Sequence, residues 1–484
     1  MTEGFVETVT TAGRVRGRRR DDGSIAFLGI PFAEPPVGEL RFAAPLPHRP
    51  WEGVRDALEY GATPKHHDPA EVTLIPEPAI AGESTLNVNV FTPGVDGSAP
   101  VLVYIHGGGY VAGSPASPWY DGAAFARDGI VTVAISYRLG FDGFGWISDA
   151  PSNRAVRDQL LALEWVRDNV AFFGGDPSRV TIAGQSAGGS AVLTLMAVPV
   201  ARGLFHAAYA MSAPDAVVTA ERAERLGRRL AELGGVAPTR AGLATLDEYR
   251  VFELQDLTSK PADANPAAAA AQMLSDVLAW APAIDGELLH ERPLDAIRGG
   301  ASPDIPLVIG ATDDEFSMAL DGAAKKLRWI PVGLALARMG IPRERRRGWL
   351  AANRSIRSRG TTRTLGRFVT DTVFRSTVLR VAAARGTAPT WVYRFAWPSR
   401  KSGIALHCID VPFFFDCLDE RHVPGLTGPK PPQGLADAVH GGAVAFIRSG
   451  DPGWEPCAAS GAARLFDVPD GMDADGYAGA RPLV

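Results

Sequence analysis

The stretch that decides the fold runs from Val180 to Met196 and reads VTIAGQSAGGSAVLTLM. Val180 to Ala183 has the length and apolar character of a buried strand, and the segment from Ala187 onward has small residues followed by a helical pattern. Between them stands Gly-Gln-Ser186-Ala-Gly, a Gly-x-Ser-x-Gly motif. In a nucleophile elbow the serine occupies a sharp turn, and small neighbours let strand and helix approach closely. The motif alone arises often by chance, but its context favours a catalytic Ser186 over a glycine-rich structural turn.

A second glycine run lies upstream of this motif. His106-Gly-Gly-Gly-Tyr110 directly follows an apolar run that ends at Ile105. A loop without side chains can turn its N–H groups toward a bound oxygen. A phosphate-binding loop would need G-x-G-x-x-G opening a helix or a G-K-[ST] ending, and neither follows. The run therefore predicts an oxyanion hole, which is the partner that acyl transfer requires beside a serine nucleophile.

From Val90 onward, apolar runs of strand length alternate with helical segments. That alternation is typical of βαβ units and predicts a large, mostly parallel sheet with helices on both faces. A helix is predicted over about 152–169, and the first sixty residues predict an antiparallel edge region. The predicted strands of the α/β sheet are Pro100–Ile105, Val131–Ser136, Val180–Ala183, Ala207–Met211, Pro306–Ile309 and Trp391–Phe395.

The organisation predicts a single α/β domain over residues 1–484, with helical cap-like insertions at about 214–303 and 334–357. Such insertions would cover the sheet edge where these folds bind ligands, although purely structural helical excursions are an equal alternative. The tail over 450–484, rich in Gly, Ala, Pro and Asp, is interpreted as a peripheral segment without strong periodicity.

Composition excludes some classes of function. A net charge of −5 argues against a nucleic-acid partner, and no apolar stretch approaches the roughly 18 residues of a membrane span. The first residues have no cationic start and do not resemble a secretory signal. Cys408, Cys417 and Cys457 cannot all pair with one another and fit no common zinc spacing. We therefore expect reduced thiols, a cytoplasmic protein and no bound metal.

A serine nucleophile needs a general base and an orienting acid, and a Ser–acid–His order places both after Ser186. Three acids, Asp313-Asp314-Glu315, follow a predicted strand, and three histidines remain as bases: His407, His422 and His440. The residues alone do not choose within either set. A solvated acidic loop and uninvolved histidines are the alternative interpretations.

These motifs resemble the type-B carboxylesterases, a family that includes bacterial para-nitrobenzyl esterases and cholinesterases. The resemblance covers about residues 29–452 and implies the α/β-hydrolase fold. It rests on a combination of segments in the family's order: Gly29–Phe42 (GIPFAEPPVGELRF), Glu83–Val90 (ESTLNVNV), Ser136–Gly140 (SYRLG), Phe173–Pro177 (FGGDP) and Ala445–Pro452 (AFIRSGDP).

The resemblance also assigns roles. Gly310-Ala-Thr-Asp-Asp-Glu315 is similar to the family's acid segment, and His407-Cys-Ile-Asp410 to its base segment. The family's nucleophile, acid, base and three oxyanion donors fall on Ser186, Glu315, His407 and the N–H groups of Gly108, Gly109 and Ala187. This implies a serine carboxylesterase that hydrolyses small-molecule esters through an acyl-enzyme, with no cofactor. The ester itself and the oligomeric state stay open.

The chain differs from the family pattern at several positions, and two other functions are alternatives. The resemblance implies structural ion pairs of Arg41 with Glu83 and of Arg138 with Asp176. Where the family's first disulfide would stand, this chain has Pro64 and Thr85, and Gln185 replaces the usual glutamate before the nucleophile. A hydrolase of the same fold that acts on amides, carbamates or thioesters is the nearer alternative. A non-catalytic, cholinesterase-like binding protein is disfavoured because all three triad positions are kept.

Overall fold

Thirteen strands of the described residues form one sheet in the computed structural model, which covers residues 4–65, 74–259, 278–457 and 461–484. Two further short strands, β10 and β11, pair with each other elsewhere. The strands are β1 Phe5–Thr10, β2 Gly13–Arg19, β3 Ile25–Pro31, β4 Val54–Asp56, β5 Asn87–Thr92, β6 Ala99–Ile105, β7 Val131–Ile135, β8 Gly175–Gln185, β9 Ala207–Met211, β10 Val218–Thr219, β11 Ala283–Ile284, β12 Leu307–Thr312, β13 Thr390–Phe395, β14 Ala463–Phe466 and β15 Gly471–Asp473.

The centre of the sheet is parallel, as predicted. The order is β1-β2-β3-β5-β7-β6-β8-β9-β12-β13-β14-β15, and the neighbours from β7 to β14 run parallel. Strands β7, β9 and β12 are buried along their whole length, which explains why they read as nearly continuous apolar runs rather than alternating ones. Because the strands are parallel, the segments that follow β6, β8, β12 and β13 meet at one edge of the sheet.

The N-terminal region is mainly antiparallel, as predicted, with β1, β2, β3 and β5 paired in turn, while β4 runs parallel to β2. The arginines of β2 lie on a solvated face, where Arg14 and Arg16 form ion pairs with Glu7.

Helices cover the sheet. The predicted helix over 152–169 is observed as Arg154–Asn169, with its apolar stripe buried. The α-helices are Ala123–Arg127, Gly140–Phe144, Arg154–Asn169, Ala187–Ala197, Ala220–Gly234, Arg240–Leu243, Glu248–Ser259, Pro293–Arg298, Ala324–Leu327, Val332–Arg338, Arg343–Ala352, Arg354–Arg357, Thr361–Thr370, Ser376–Arg385, Val411–Phe414, Val423–Thr427 and Gln433–Ser449. None of the helices in the described ranges combines the length and hydropathy of a membrane span.

Both predicted insertions contain helices. Residues 214–303 hold four of them, although 260–277 lie outside the described residues. Residues 334–357 belong to a helical group with a small core of its own, separate from the main core and formed by Leu336, Trp349, Leu365, Phe368 and Leu483. That these helices act as a cap stays a prediction.

The tail is not peripheral, and the interpretation of residues 450–484 was wrong. Strands β14 and β15 extend the sheet beyond β13. The buried Tyr477 hydroxyl accepts a hydrogen bond from the Ala311 N–H (2.9 Å) and donates to the Tyr393 carbonyl (2.6 Å). The two strands of the tail have only four and three residues, which is too short for an apolar repeat to be detected.

The two implied ion pairs were also wrong. Arg138 is buried and pairs with the equally buried Asp158 at 2.7 Å, while Asp176 accepts hydrogen bonds from Ser178. Arg41 pairs with Asp142 at 2.8 Å. A buried guanidinium requires a buried counter-ion, and Asp158 supplies one from helix Arg154–Asn169.

Candidate active site

Ser186 occupies a strained turn between β8 and helix Ala187–Ala197. Its φ of 59° and ψ of −121° lie outside the regions that residues other than glycine usually adopt. Close packing enforces the turn, because a Cβ on Gly188 would stand 2.0 Å from the carbonyl oxygen of Ile105 at the end of β6. The side chain keeps a small exposed fraction of 9%. The predicted elbow geometry is therefore present.

The glycine loop lies directly beside the elbow. A Cβ on Gly107 would be 3.3 Å from the Ser186 Cβ. His106 fixes the loop's start, since its ring stacks on Tyr137 at 4.4 Å and its carbonyl accepts the Tyr137 hydroxyl at 2.8 Å. Gly108 has a φ of 100°, a conformation that favours glycine, and its carbonyl accepts the N–H of Ala112.

The predicted oxyanion donors lie in the glycine loop and at the first residue of the helix that follows Ser186. Within the described ranges, the N–H groups of Gly108, Gly109 and Ala187 donate to no protein acceptor. Ala187 is the first residue of its helix, where N–H groups have no intrahelical partner and the helix dipole favours negative charge.

Leu278, from the first insertion, lies 3.8 Å from the Cβ position of Gly109.

His407 connects the serine to the acid loop. Its Nε2 lies 2.9 Å from the Ser186 Oγ, and its Nδ1 contacts the Glu315 Oε2 directly. The backbone reinforces this, because the His407 N–H donates to the Glu315 carbonyl at 3.0 Å. The second carboxylate oxygen of Glu315 accepts the Thr312 N–H at 2.7 Å. A continuous hydrogen-bonded chain thus joins Ser186, His407 and the fully buried Glu315.

The other two candidate histidines lie elsewhere. His422 is exposed and contacts Glu420 at 3.0 Å. His440 is buried, and its ring nitrogens contact the Phe414 carbonyl at 2.7 Å and Asp128 at 3.1 Å. Neither contacts Ser186.

The acid loop is buried rather than solvated, and its three carboxylates have different partners. Asp313 lies among arginines, with Arg394 at 2.7 Å and Arg375 in direct contact. Asp314 accepts the Ser317 hydroxyl at 3.2 Å and faces Arg367 at 3.5 Å. Only Glu315 among the three reaches His407.

Electrostatics separates these groups further. Burial opposes ionisation of Asp313, but Arg367 and Arg375 outweigh it and hold its pKa well below the usual range. Burial also opposes a charged His407, yet the buried carboxylate of Glu315 in direct contact with it outweighs burial, and the pKa of His407 lies well above 6.5. Burial raises the pKa of the Cys408 thiol. The sulfur therefore keeps its proton, and Glu315 is the charge that faces the imidazole.

Aromatic rings form the wall beside the base. Phe316 and Phe374 lie 4.8 Å and 5.2 Å from the His407 ring centroid. Phe374 belongs to a π-helical turn, Asp371–Arg375, of a kind frequent at functional sites. Four other large aromatic residues, Tyr110, Trp119, Trp280 and Phe414, are buried in the core.

Two contacts at the site were not predicted. The Gln185 amide nitrogen lies 3.3 Å from the His407 Nε2, and the Cys408 thiol lies 3.4 Å from the Gln185 Oε1. Gln185 immediately precedes Ser186, and Cys408 immediately follows His407. This adjacency is the sequence signal that could have indicated the two contacts.

Known proteins resemble this chain over nearly its full length. The sequence profile of the Carboxylesterase family matches residues 3–460. A para-nitrobenzyl esterase of Bacillus subtilis is 34% identical, with 93% of this chain and 91% of the relative covered. A phenmedipham hydrolase of Pseudarthrobacter oxydans is 35% identical, with 92% and 90% covered. A crystal structure of a Geobacillus stearothermophilus carboxylesterase superposes with a TM-score of 0.84 at 30% identity and covers 99% of each chain. These structures confirm the predicted α/β-hydrolase fold.

Proposed function

The chain belongs to the carboxylesterase family and is a carboxylic ester hydrolase, and we propose that it works through a serine acyl-enzyme. In this proposal Ser186 is the nucleophile, His407 the general base and Glu315 the acid that orients it. The observation that carries the proposal is the hydrogen-bonded chain from the Ser186 Oγ through both nitrogens of His407 to Glu315.

The mechanism follows from this geometry. A serine hydroxyl is a poor nucleophile at neutral pH, so His407 Nε2 removes its proton as Oγ attacks the ester carbonyl. Glu315 holds the proton on Nδ1 and stabilises the imidazolium that forms. His407 then protonates the leaving alcohol. Water, activated by the same nitrogen, releases the acid from the acyl-enzyme and regenerates Ser186.

The negative oxygen of the tetrahedral intermediate needs preorganised donors. We assign this role to the N–H groups of Gly108, Gly109 and Ala187, which donate to nothing else in the described part of the protein. Each such donor contributes about 3 kcal/mol to lowering the barrier. The chemistry uses only these groups and water, so no cofactor takes part.

The substrate class is a small-molecule ester, bound beside the Phe316 and Phe374 rings. The contact of Leu278 with the glycine loop supports a cap built partly by the insertion at 214–303. Amides, carbamates and thioesters pass through the same kind of tetrahedral intermediate, so one of these is the second candidate. Activity measured across acyl chain lengths and these four linkages would rank them.

We also propose a reducing, cytoplasmic location. No disulfide joins any two of Cys408, Cys417 and Cys457, all of which lie in the described part of the chain. That arrangement supports a compartment in which thiols stay reduced.

The proposed nucleophile is tested by Ser186→Ala. We expect p-nitrophenyl butyrate hydrolysis to fall by about 10⁶-fold, because the nucleophile cannot be replaced, and labelling by a fluorophosphonate probe to disappear. Ser190→Ala is the matched control: this buried serine lies four residues along the same helix and donates to the Pro214 carbonyl instead. It should keep both activity and labelling.

Retained turnover in pure Ser186→Ala protein would contradict the proposed nucleophile. Wild-type protein that neither hydrolyses the ester nor takes up the probe would favour a non-catalytic binding protein. His407→Ala against the exposed His422→Ala tests the base in the same assays, and equal damage would contradict its assignment.

A further inference from the structure

The base nitrogen of His407 has a second polar neighbour besides the serine. The amide nitrogen of Gln185 lies 3.3 Å from Nε2, the same atom that stands 2.9 Å from the Ser186 Oγ. Because Glu315 occupies Nδ1, the proton of a neutral His407 sits there and Nε2 carries the lone pair. The serine hydroxyl and the Gln185 amide both donate toward that lone pair.

The amide is held in this orientation. Its oxygen accepts the Cys408 thiol at 3.4 Å, and both side chains are almost fully buried. The glycine loop lies on its other side, since a Cβ on Gly107 would be 3.2 Å from the same oxygen. Cys408 itself has a φ of 67°, so the chain turns sharply just after His407 and brings the sulfur next to the amide.

Protonation of His407 turns the attraction between its Nε2 and the Gln185 amide N–H into a repulsion between two donors. Nε2 then carries a hydrogen, which faces the N–H of the Gln185 amide. The amide could present its oxygen only by rotating, and rotation would break the bond from Cys408. From this arrangement we infer that Gln185, oriented by Cys408, is a positioning residue that keeps His407 in its neutral, proton-accepting form. The inference rests on the proposed role of His407 as general base.

Other groups act on the same imidazole. Glu315 favours the charged form, while burial raises the pKa of Asp410, three residues beyond His407, to about 7, and its carboxyl accepts the Tyr393 hydroxyl. Cys408 supplies a neutral thiol. Gln185 is thus the amide donor that opposes protonation at Nε2, and it limits the effect of Glu315.

The test is the pH profile of kcat/KM for p-nitrophenyl butyrate in four variants. Gln185→Glu puts an acceptor beside Nε2, and we expect the midpoint of the acid limb to rise by about one pH unit. Gln185→Met removes the donor at similar size, with a rise of about half a unit expected. Cys408→Ala lets the amide rotate and should shift the midpoint in the same direction. Cys408→Ser keeps a donor to the oxygen and should restore the wild-type midpoint.

The midpoint of the pH profile does not depend on how much protein is folded, so a poorly folding variant is still informative. If Gln185→Glu yields no active enzyme, the midpoint of Gln185→Met tests the inference. Wild-type midpoints in both Gln185 variants would overturn the inference, and a wild-type midpoint in Cys408→Ala would overturn the part assigned to Cys408. An active Ser186→Ala would instead contradict the proposed function. An inactive Ser186→Ala together with unshifted Gln185 variants contradicts only the positioning role.

Discussion

The serine side of the site is one continuous strand, turn and helix, whereas the base side is assembled from two loops that lie 92 residues apart in sequence. On the serine side, contacts between neighbouring backbones fix the geometry, with Gly188 against Ile105. On the base side, buried charges and rings fix it: Asp313 among arginines, and Phe316 and Phe374 against His407. A close backbone contact tolerates almost no added side-chain atom, whereas loss of one charged group weakens the base side only in part. The two sides should therefore fail differently when mutated.

The largest expected effect is on the serine side. Gly188→Ala places a methyl group 2.0 Å from a backbone carbonyl oxygen, and no side-chain rotation relieves that contact. We expect the free energy of unfolding to fall by about 3 kcal/mol or more, with little folded enzyme recovered. Thermal unfolding and soluble yield measure this.

The control for that variant is Gly441→Ala. Gly441 lies within helix Gln433–Ser449, and nothing stands within 4 Å of its Cβ position. This change should stabilise the protein by about 0.5–1 kcal/mol. Equal melting temperatures for the two variants would contradict a sterically fixed elbow.

The next effect concerns the acid. Glu315→Gln should leave the fold intact and reduce kcat by about 10³- to 10⁴-fold, because an amide does not hold the productive tautomer of His407. Its control is Asp314→Asn, which changes a buried neighbour that contacts Ser317 rather than His407 and should lose less than about threefold. The reverse ranking would move the role to Asp314.

A smaller loss of activity is expected at Asp313. Asp313→Asn leaves Arg375 and Arg394 without their shared carboxylate, which should lower the free energy of unfolding by about 3 kcal/mol. Turnover should fall less than in Glu315→Gln because the triad contacts remain. Chemical denaturation together with kcat separates the two effects, and unchanged stability would show that the arginines do not depend on this carboxylate.

The smallest effect is a displacement of the pH profile. In the proposed mechanism only neutral His407 can accept the serine proton, and its pKa is raised, so kcat/KM should fall as pH drops through a midpoint above 6.5. Removal of the carboxylate in Glu315→Gln should lower that midpoint, since the charge that stabilises the imidazolium is gone. A wild-type midpoint at or below 6.5 would contradict this account of the base side.

The same contrast explains what the sequence could predict. The elbow, the glycine loop and the central strands depend on neighbouring residues, so their patterns were sufficient. The choice of Glu315 over Asp313 and Asp314 depends on side-chain direction, which three adjacent acids do not reveal. The choice came from family resemblance, and Glu315 is the acid that contacts His407. The family resemblance implied the wrong partners for Arg41 and Arg138. In the structure Arg41 pairs with Asp142, and Arg138 pairs with the buried Asp158.

Tyr477 has a consequence for the order of synthesis. Its hydroxyl joins β12 to β13 just before the acid loop, yet it is made long after every residue of the triad. Domains generally fold as units, and the tail strands belong to the same sheet as the strand that precedes Ser186. The acid loop cannot gain its last support until the tail has emerged. Turnover should therefore appear late in translation, nearly 300 residues after Ser186 has been added to the chain.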